Sequence, residues 1–299
     1  MLMVFTYPSI TGNKLAYATT TINSTMTTNV SFLDNMETKK VRVGDIDIAY
    51  KIFGKGEPLV LIPGFSQPMD TWDPIVLDKL SSNHTIIISD NRGIGKTTVG
   101  NKTWSIEQFA NDTAGLIDAL GIRKPVDVLG ASLGGHIAQE LTLMHPQKVN
   151  KLILYGTDCG GKATILPQIS PEVSRSMGSG NASLDTFLST MFPKEWLKEN
   201  AGYVQKVFSV MTPVSKENIQ HQGEAWSNWK GTCDRLSNIN KPTLVIVGTD
   251  DVIRPPANSL ILAEKIPGAW LVQINGGGHG LMWQYPDKFS RIVLTFLET

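Results

Sequence analysis

The sequence lacks a charge bias. Lys+Arg and Asp+Glu stand at 27 each over 299 residues. Nucleic acid and anionic membrane surfaces are bound by a strong basic field, so neither partner is expected. Cysteine is scarce. Two residues, Cys159 and Cys233, cannot build a disulfide scaffold. Neither has the positive neighbours of an activated thiolate, and both read as reduced, partly buried thiols. Long hydrophobic runs are missing too, which excludes a membrane-spanning helix. The opening Met1–Phe5 is apolar but too short for a signal h-region, and no basic segment precedes it.

The composition is that of a globular protein, with 41% hydrophobic and 18% charged residues. The length suits one large α/β domain with an insertion, or two small domains. Residues 1–38 read as a polar, flexible tail, rich in Thr, Asn and Ser from Thr19 to Ser31. The cytoplasm is the expected compartment. Ala16-Tyr17-Ala18 resembles a cleavage site, and Asn-x-Ser/Thr sequons occur at Asn23, Asn29, Asn83, Asn101, Asn111 and Asn181. Export from a misassigned start is therefore the alternative.

Order begins near Lys39. Val41–Tyr50 alternates around Gly44-Asp45 and predicts a hairpin. Continuous apolar runs at Leu59–Ile62 and Ile86–Ile88 predict strands buried on both faces. Ser105 and Gln108 form a capping box for a helix that Gly121 ends. Strands at Val126–Leu129, Leu152–Tyr155, Thr243–Val247 and Trp270–Ile274 alternate with helices at 133–145, 257–266 and 286–298. Such alternation predicts a mostly parallel twisted sheet flanked by helices. Residues 161–241 break the rhythm. They are rich in Met, Ser, Pro and Trp, with helical fragments near 184–191, 194–208 and 215–229. A stretch that long is not a loop of a compact domain. It predicts a helical cap over the C-terminal edge of the sheet, where open α/β sheets bind ligands. The core then comprises 39–160 and 242–299.

Gly130-Ala131-Ser132-Leu133-Gly134 fits G-x-S-x-G between a buried strand and a helix. A nucleophile elbow needs that context, because its serine sits on a strained strand-to-helix turn. Ser132 as a mere helix cap is the competing reading. A serine needs a base. His279 follows a strand within Gly276-Gly277-Gly278-His279-Gly280, a loop able to reach across the sheet. His84 is expected at an exposed strand end, His136 packed or beside the pocket, His145 at a helix C-terminus and His221 in the cap. Three acids could orient His279. Asp251, three residues after Gly248 and before Pro255-Pro256, is preferred to Asp250 and Asp158. Oxyanion donors are expected from the backbone N–H groups of Leu133 and Phe65, the latter within Pro63-Gly64-Phe65-Ser66-Gln67.

With these segments the chain resembles the α/β-hydrolase superfamily, in its capped form, from about Lys39 to the C-terminus. Pro63-Gly64-Phe65, Asp90-Asn91-Arg92-Gly93-Ile94-Gly95, Gly130–Gly135, Gly248-Thr249-Asp250-Asp251 and Gly278-His279-Gly280 carry the resemblance. Pro63-Gly64 stands where the family usually has His-Gly. The resemblance implies the triad Ser132, Asp251 and His279, no cofactor and no metal. The resemblance names no substrate; the group of residues itself points to a carboxylic ester hydrolase, an esterase or lactonase working through an acyl-enzyme. Acyl-homoserine lactone cleavage, perhydrolysis and carbon–carbon hydrolysis are alternatives on the same triad. A non-enzymatic receptor is a weaker alternative. Gly95-Lys96-Thr97 is not a phosphate loop, because Asp90 stands where that motif needs glycine. It reads as a turn held by Arg92. Met69, Met282 and Trp226 are the expected pocket residues. Met177, Met191, Met211, Trp196 and Trp229 are better read as cap core.

Overall fold

The computed structural model describes Leu33, residues 36–209 and residues 212–299. Most of the expected tail, the sequons at Asn23 and Asn29, and Met211 lie outside them. At the tail's end Leu33 is buried, and Lys51 Nζ donates to the carbonyls of Leu33 and, at 2.9 Å, Met36.

The described residues form an eight-stranded sheet in the order β1-β2-β4-β3-β5-β6-β7-β8. The hairpin is β1 (Lys39–Val43) and β2 (Ile46–Gly54), and β2 runs antiparallel to β4 (His84–Ser89). From there the sheet is parallel through β3 (Glu57–Ile62), β5 (Val126–Ala131), β6 (Val149–Tyr155), β7 (Thr243–Gly248) and β8 (Trp270–Ile274). Alternate residues of each apolar run feed opposite faces. Leu59, Leu61, Ile86 and Ile88 join one core, with α1 (Pro74–Ser81) and α10 (Pro286–Leu297). Val60, Ile62 and Ile87 join the other, with α2 (Ile106–Ala119), α3 (Leu133–Met144) and α8 (Pro256–Lys265). Each fully buried Leu or Ile contributes roughly 1.5–3 kcal/mol of burial free energy.

Only half of the capping box forms. Ser105 Oγ accepts from Gln108 N–H, but the Gln108 amide turns to Asp112 at 2.8 Å. The reason is Arg92. Its buried guanidinium is paired with Asp45 and Asp112, and Gln108 completes that cluster. The Asp90–Gly95 turn is therefore held by Arg92, as its sequence suggests. His84 departs from expectation and is buried.

Between β6 and β7 lie four helices among the described residues: α4 (Pro171–Gly178), α5 (Leu184–Met191), α6 (Lys194–Ser209) and α7 (Lys216–Asn228). The first has no apolar repeat long enough to be read from sequence. The two cysteines correct the sequence reading. Cys159, after β6, and Cys233, after α7, are joined in a disulfide across 74 residues, with Cα atoms 4.9 Å apart. Sequence spacing gives no hint of this pairing, because the approach is made by the fold. The last helices are α9 (Leu281–Gln284) and α10. No described helix is long and apolar enough to cross a membrane.

Candidate active site

Ser132 sits between β5 and α3 with φ 52° and ψ −116°, a conformation that L-residues rarely adopt. Such strain costs about 1–3 kcal/mol and persists only where the surroundings impose it. They do so here through backbone contacts. Ser132 N–H donates to Tyr155 O at 2.9 Å, while Thr157 Oγ1 at 2.8 Å and Gly135 N–H at 2.9 Å donate to Ser132 O. The two motif glycines have steric reasons. A Cβ on Gly130 would stand 2.3 Å from Gly134 O, and one on Gly134 would stand 2.0 Å from Ile62 O. The Ser132 side chain makes no cap hydrogen bond to α3. That removes the helix-cap reading and leaves the hydroxyl for other work.

His279 reaches the same place from the loop after β8. Tyr155 Oη donates to His279 O, and the His279 ring lies 3.3 Å from where a Gly156 Cβ would be. Ser132 and His279 are thus both fastened to the end of β6. Burial pushes the Tyr155 phenol well above its ordinary range, so it remains a donor. His279 Nδ1 lies 2.8 Å from Asp251 Oδ2. Asp251 Oδ1 accepts from the N–H groups of Ile253 at 2.9 Å and Arg254 at 2.7 Å. This arrangement fixes the imidazole and leaves Nε2 without a partner among the described residues. The glycines beside His279 make room for the β6–β7 helices. A Cβ on Gly278 would meet Met191 O at 2.7 Å, and one on Gly280 would meet the Phe192 ring at 2.3 Å.

The other two acids are placed elsewhere. Asp250 is exposed and pairs with Thr249 Oγ1. Asp158 Oδ1 meets His136 Nε2 at 3.1 Å and accepts from Gly160 N–H at 2.7 Å. Its Oδ2 faces Arg254 Nε at 2.8 Å, an ion pair outside hydrogen-bond angles. Burial alone would raise the Asp158 carboxyl, but His136 and Arg254 outweigh it and hold it well below the usual range. His136 is packed between Trp226 and Trp229, as the sequence reading allowed.

The Pro63–Gln67 loop lies against Ser132, and a Cβ on Gly64 would be 3.4 Å from Ser132 Cβ. Gly64 N–H donates to Gln67 Oε1 and Ser66 N–H to Gln222 Oε1. Phe65 N–H, between them, has no acceptor among the described residues. Leu133 opens α3, so its N–H is among those a helix leaves unpaired. Two amides next to Ser132, in the loop against it and in the chain after it, are therefore without an acceptor among the described residues. The expected pocket residues divide. Met69 and Met282 share one apolar cluster with Leu188, Met191 and Phe192. Trp226 stands on the other side, its ring 6.1 Å from that of Phe65 and under the Arg254 guanidinium at 4.6 Å. Trp229 is core, donating to buried Glu140 at 2.8 Å.

A family model described as the alpha/beta hydrolase fold matches residues 57–286. The chain belongs to the α/β-hydrolase fold family. Among α/β hydrolases of known structure it resembles one from Chitinophaga pinensis, with 27% identity, 89% of this chain and 98% of that chain covered, and a TM-score of 0.78. It also resembles Est816, described as an N-acyl homoserine lactone degrading enzyme, with 28% identity, 86% and 100% coverage and a TM-score of 0.72. A 2-hydroxy-6-oxononadienedioate/2-hydroxy-6-oxononatrienedioate hydrolase of Dechloromonas aromatica is 29% identical over 91% of this chain and 99% of its own. Membership makes the chain a hydrolase by family; esterases, lactonases and carbon–carbon hydrolases all occur among its neighbours.

Sequence reasoning missed Tyr155, Arg254 and Gln222. Each acts through a partner far along the chain, and no local pattern marks it. Among the described residues, no group of three His, Cys, Asp or Glu side chains is placed to hold a metal ion.

Proposed function

We propose that Ser132 attacks the carbonyl of a carboxylic ester or lactone, with His279 as base and Asp251 as its orienting acid. His279 Nε2 takes the hydroxyl proton and returns it to the departing oxygen. The Phe65 and Leu133 N–H groups hold the oxyanion, and water then releases the acid from the acyl-enzyme. The observation that carries this reading is the strained, uncapped Ser132, tied to the strand end that also holds His279. Residues 161–241 act as a cap on a core of 39–160 and 242–299, and Met69, Met282 and Trp226 line the acyl pocket. Acyl-homoserine lactones are a natural substrate class to try, given the likeness to Est816. Carbon–carbon hydrolysis is the second reading, favoured by the Dechloromonas aromatica relative. Rates on p-nitrophenyl esters, acyl-homoserine lactones and 2-hydroxy-6-oxononadienedioate, measured on wild type and Ser132→Ala, decide between them. Full ester activity in Ser132→Ala would overturn the mechanism. Turnover confined to the dienedioate would install the second reading.

The Cys159–Cys233 disulfide favours an exported protein over a cytoplasmic one, because disulfides persist in oxidising compartments. Thiol alkylation before and after reduction of the native protein tests this. Two thiols free before reduction would return the protein to the cytoplasm.

A further inference from the structure

Gln222 lies on α7 and is fully buried. Its Oε1 accepts from Ser66 N–H at 2.6 Å. Ser66, at φ 55°, and Ser132 are the non-glycine residues of the described chain with positive φ. Gln222 thus holds the strained residue next to Phe65, whose N–H is free. Its own Nε2 is buried and has no partner among the described residues. The amide cannot be turned round, since an NH2 group would then face Ser66 N–H. A buried donor left unpaired is costly, and such groups persist where something outside the chain pairs them. On the same helix, a Cβ on Gly223 would stand 3.7 Å from the Phe65 ring, and Trp226, one helical turn on from Gln222, has its ring 6.1 Å from that of Phe65. The nearby Arg254 charge is already matched by Asp158.

We propose that Gln222 Nε2 binds an uncharged carbonyl oxygen on the acid portion of the substrate. Chain dimensions and hydrogen-bond lengths put that oxygen roughly 4–8 Å from the oxyanion. The substrate class is then an ester or lactone of an acid carrying an amide or keto group near the reacting carbonyl. Gln222 has two separable duties: Oε1 positions the oxyanion loop, and Nε2 selects the substrate. The inference rests on Ser132 being the nucleophile.

The test compares p-nitrophenyl N-acetylglycinate with p-nitrophenyl pentanoate, which have equal chain length and one amide of difference. The ratio of their kcat/KM values is measured in wild type, Gln222→Glu and Gln222→Met. Intrinsic reactivity cancels when each variant's ratio is divided by that of wild type. Gln222→Glu keeps an acceptor for Ser66 N–H but, when ionised at pH 8, has no donor. The ratio is expected to fall about tenfold in both variants, the size of one hydrogen bond. Equal losses on both esters would overturn the proposal and leave Gln222 as a loop support alone. Binding to wild type of N-acetylglycinamide and pentanamide, followed by tryptophan fluorescence, needs no nucleophile and no folded variant. Tighter binding of the acetylglycinamide supports Gln222, and equal binding overturns it. Failure of the nucleophile reading would show separately, as esterase activity surviving in Ser132→Ala.

Discussion

Among the described residues, two buried histidine–aspartate pairs lie close together and are built differently. In one, His279 meets Asp251 through Nδ1, and the carboxylate's second oxygen is held by two backbone N–H groups. In the other, His136 meets Asp158 through Nε2, and the carboxylate faces a guanidinium. His136 sits against two indoles, with its remaining nitrogen buried and unpaired. The first pair thus leaves a ring nitrogen without a partner among the described residues, and the second encloses one. Arg254 links them: its N–H supports Asp251 while its side chain pairs with Asp158. Proximity of His and Asp does not make a catalytic dyad. What matters is which nitrogen remains available, and to what.

Substituting each aspartate breaks this comparison most severely. Asp251→Asn is expected to lower kcat about 10⁴-fold, through the wrong imidazole tautomer, with a nearly unchanged melting temperature. Asp158→Asn should do the reverse. It leaves Arg254 buried without a charge partner, at a cost of about 3–5 kcal/mol, and lowers the melting temperature by about 6–20 °C. The surviving folded protein should keep kcat within about tenfold. Calorimetry and aryl ester turnover on the same samples check both. A large kcat loss in Asp158→Asn and little in Asp251→Asn would exchange the two roles.

A smaller effect sharpens the structural role. His136→Phe keeps ring packing against Trp229 and removes the bond to Asp158. It should cost about 1–3 kcal/mol and leave KM for small esters within threefold. Urea unfolding with steady-state kinetics measures both.

The smallest expected effects lie in pH dependence. The lowered Asp158 carboxyl contributes stability that is complete above the ordinary carboxylate range and lost as pH falls through it. Asp73, which caps α1 and accepts from Tyr203 Oη of α6, behaves oppositely. Burial raises its carboxyl from 3.8 to about 6, so folding binds a proton there. Its contribution is full below pH 3.8 and declines as pH rises through about 6. Melting temperatures from pH 2 to 8 should show Asp73→Asn flattening the decline toward neutrality and Asp158→Asn flattening the loss below about pH 4.

The same contrast explains what could be read from sequence. Ser132 and His279 are framed by glycines because backbones pass within contact distance there, and those glycines are visible as letters. Buried strands show as apolar runs, since both faces of the sheet are covered. Arg254, Gln222 and Tyr155 gain their meaning only through partners more than 90 residues away, or across the sheet top. The setting after Gly248 favours Asp251 over Asp158, but it does not show that each would meet a histidine. Both follow a strand, and the three-dimensional placement of His136 and His279 gives each its partner. The Cys159–Cys233 disulfide escaped for the same reason, as did α4, whose eight residues are too few to show a period.

The central claim is that Ser132 is the nucleophile. Its most direct test is labelling by a fluorophosphonate, followed by intact mass and peptide mapping. One phosphonyl group is expected on Ser132 in wild type, on Ser132 in folded Asp158→Asn, and nowhere in Ser132→Ala. An unlabelled wild type, or a label carried by another residue, would contradict the account.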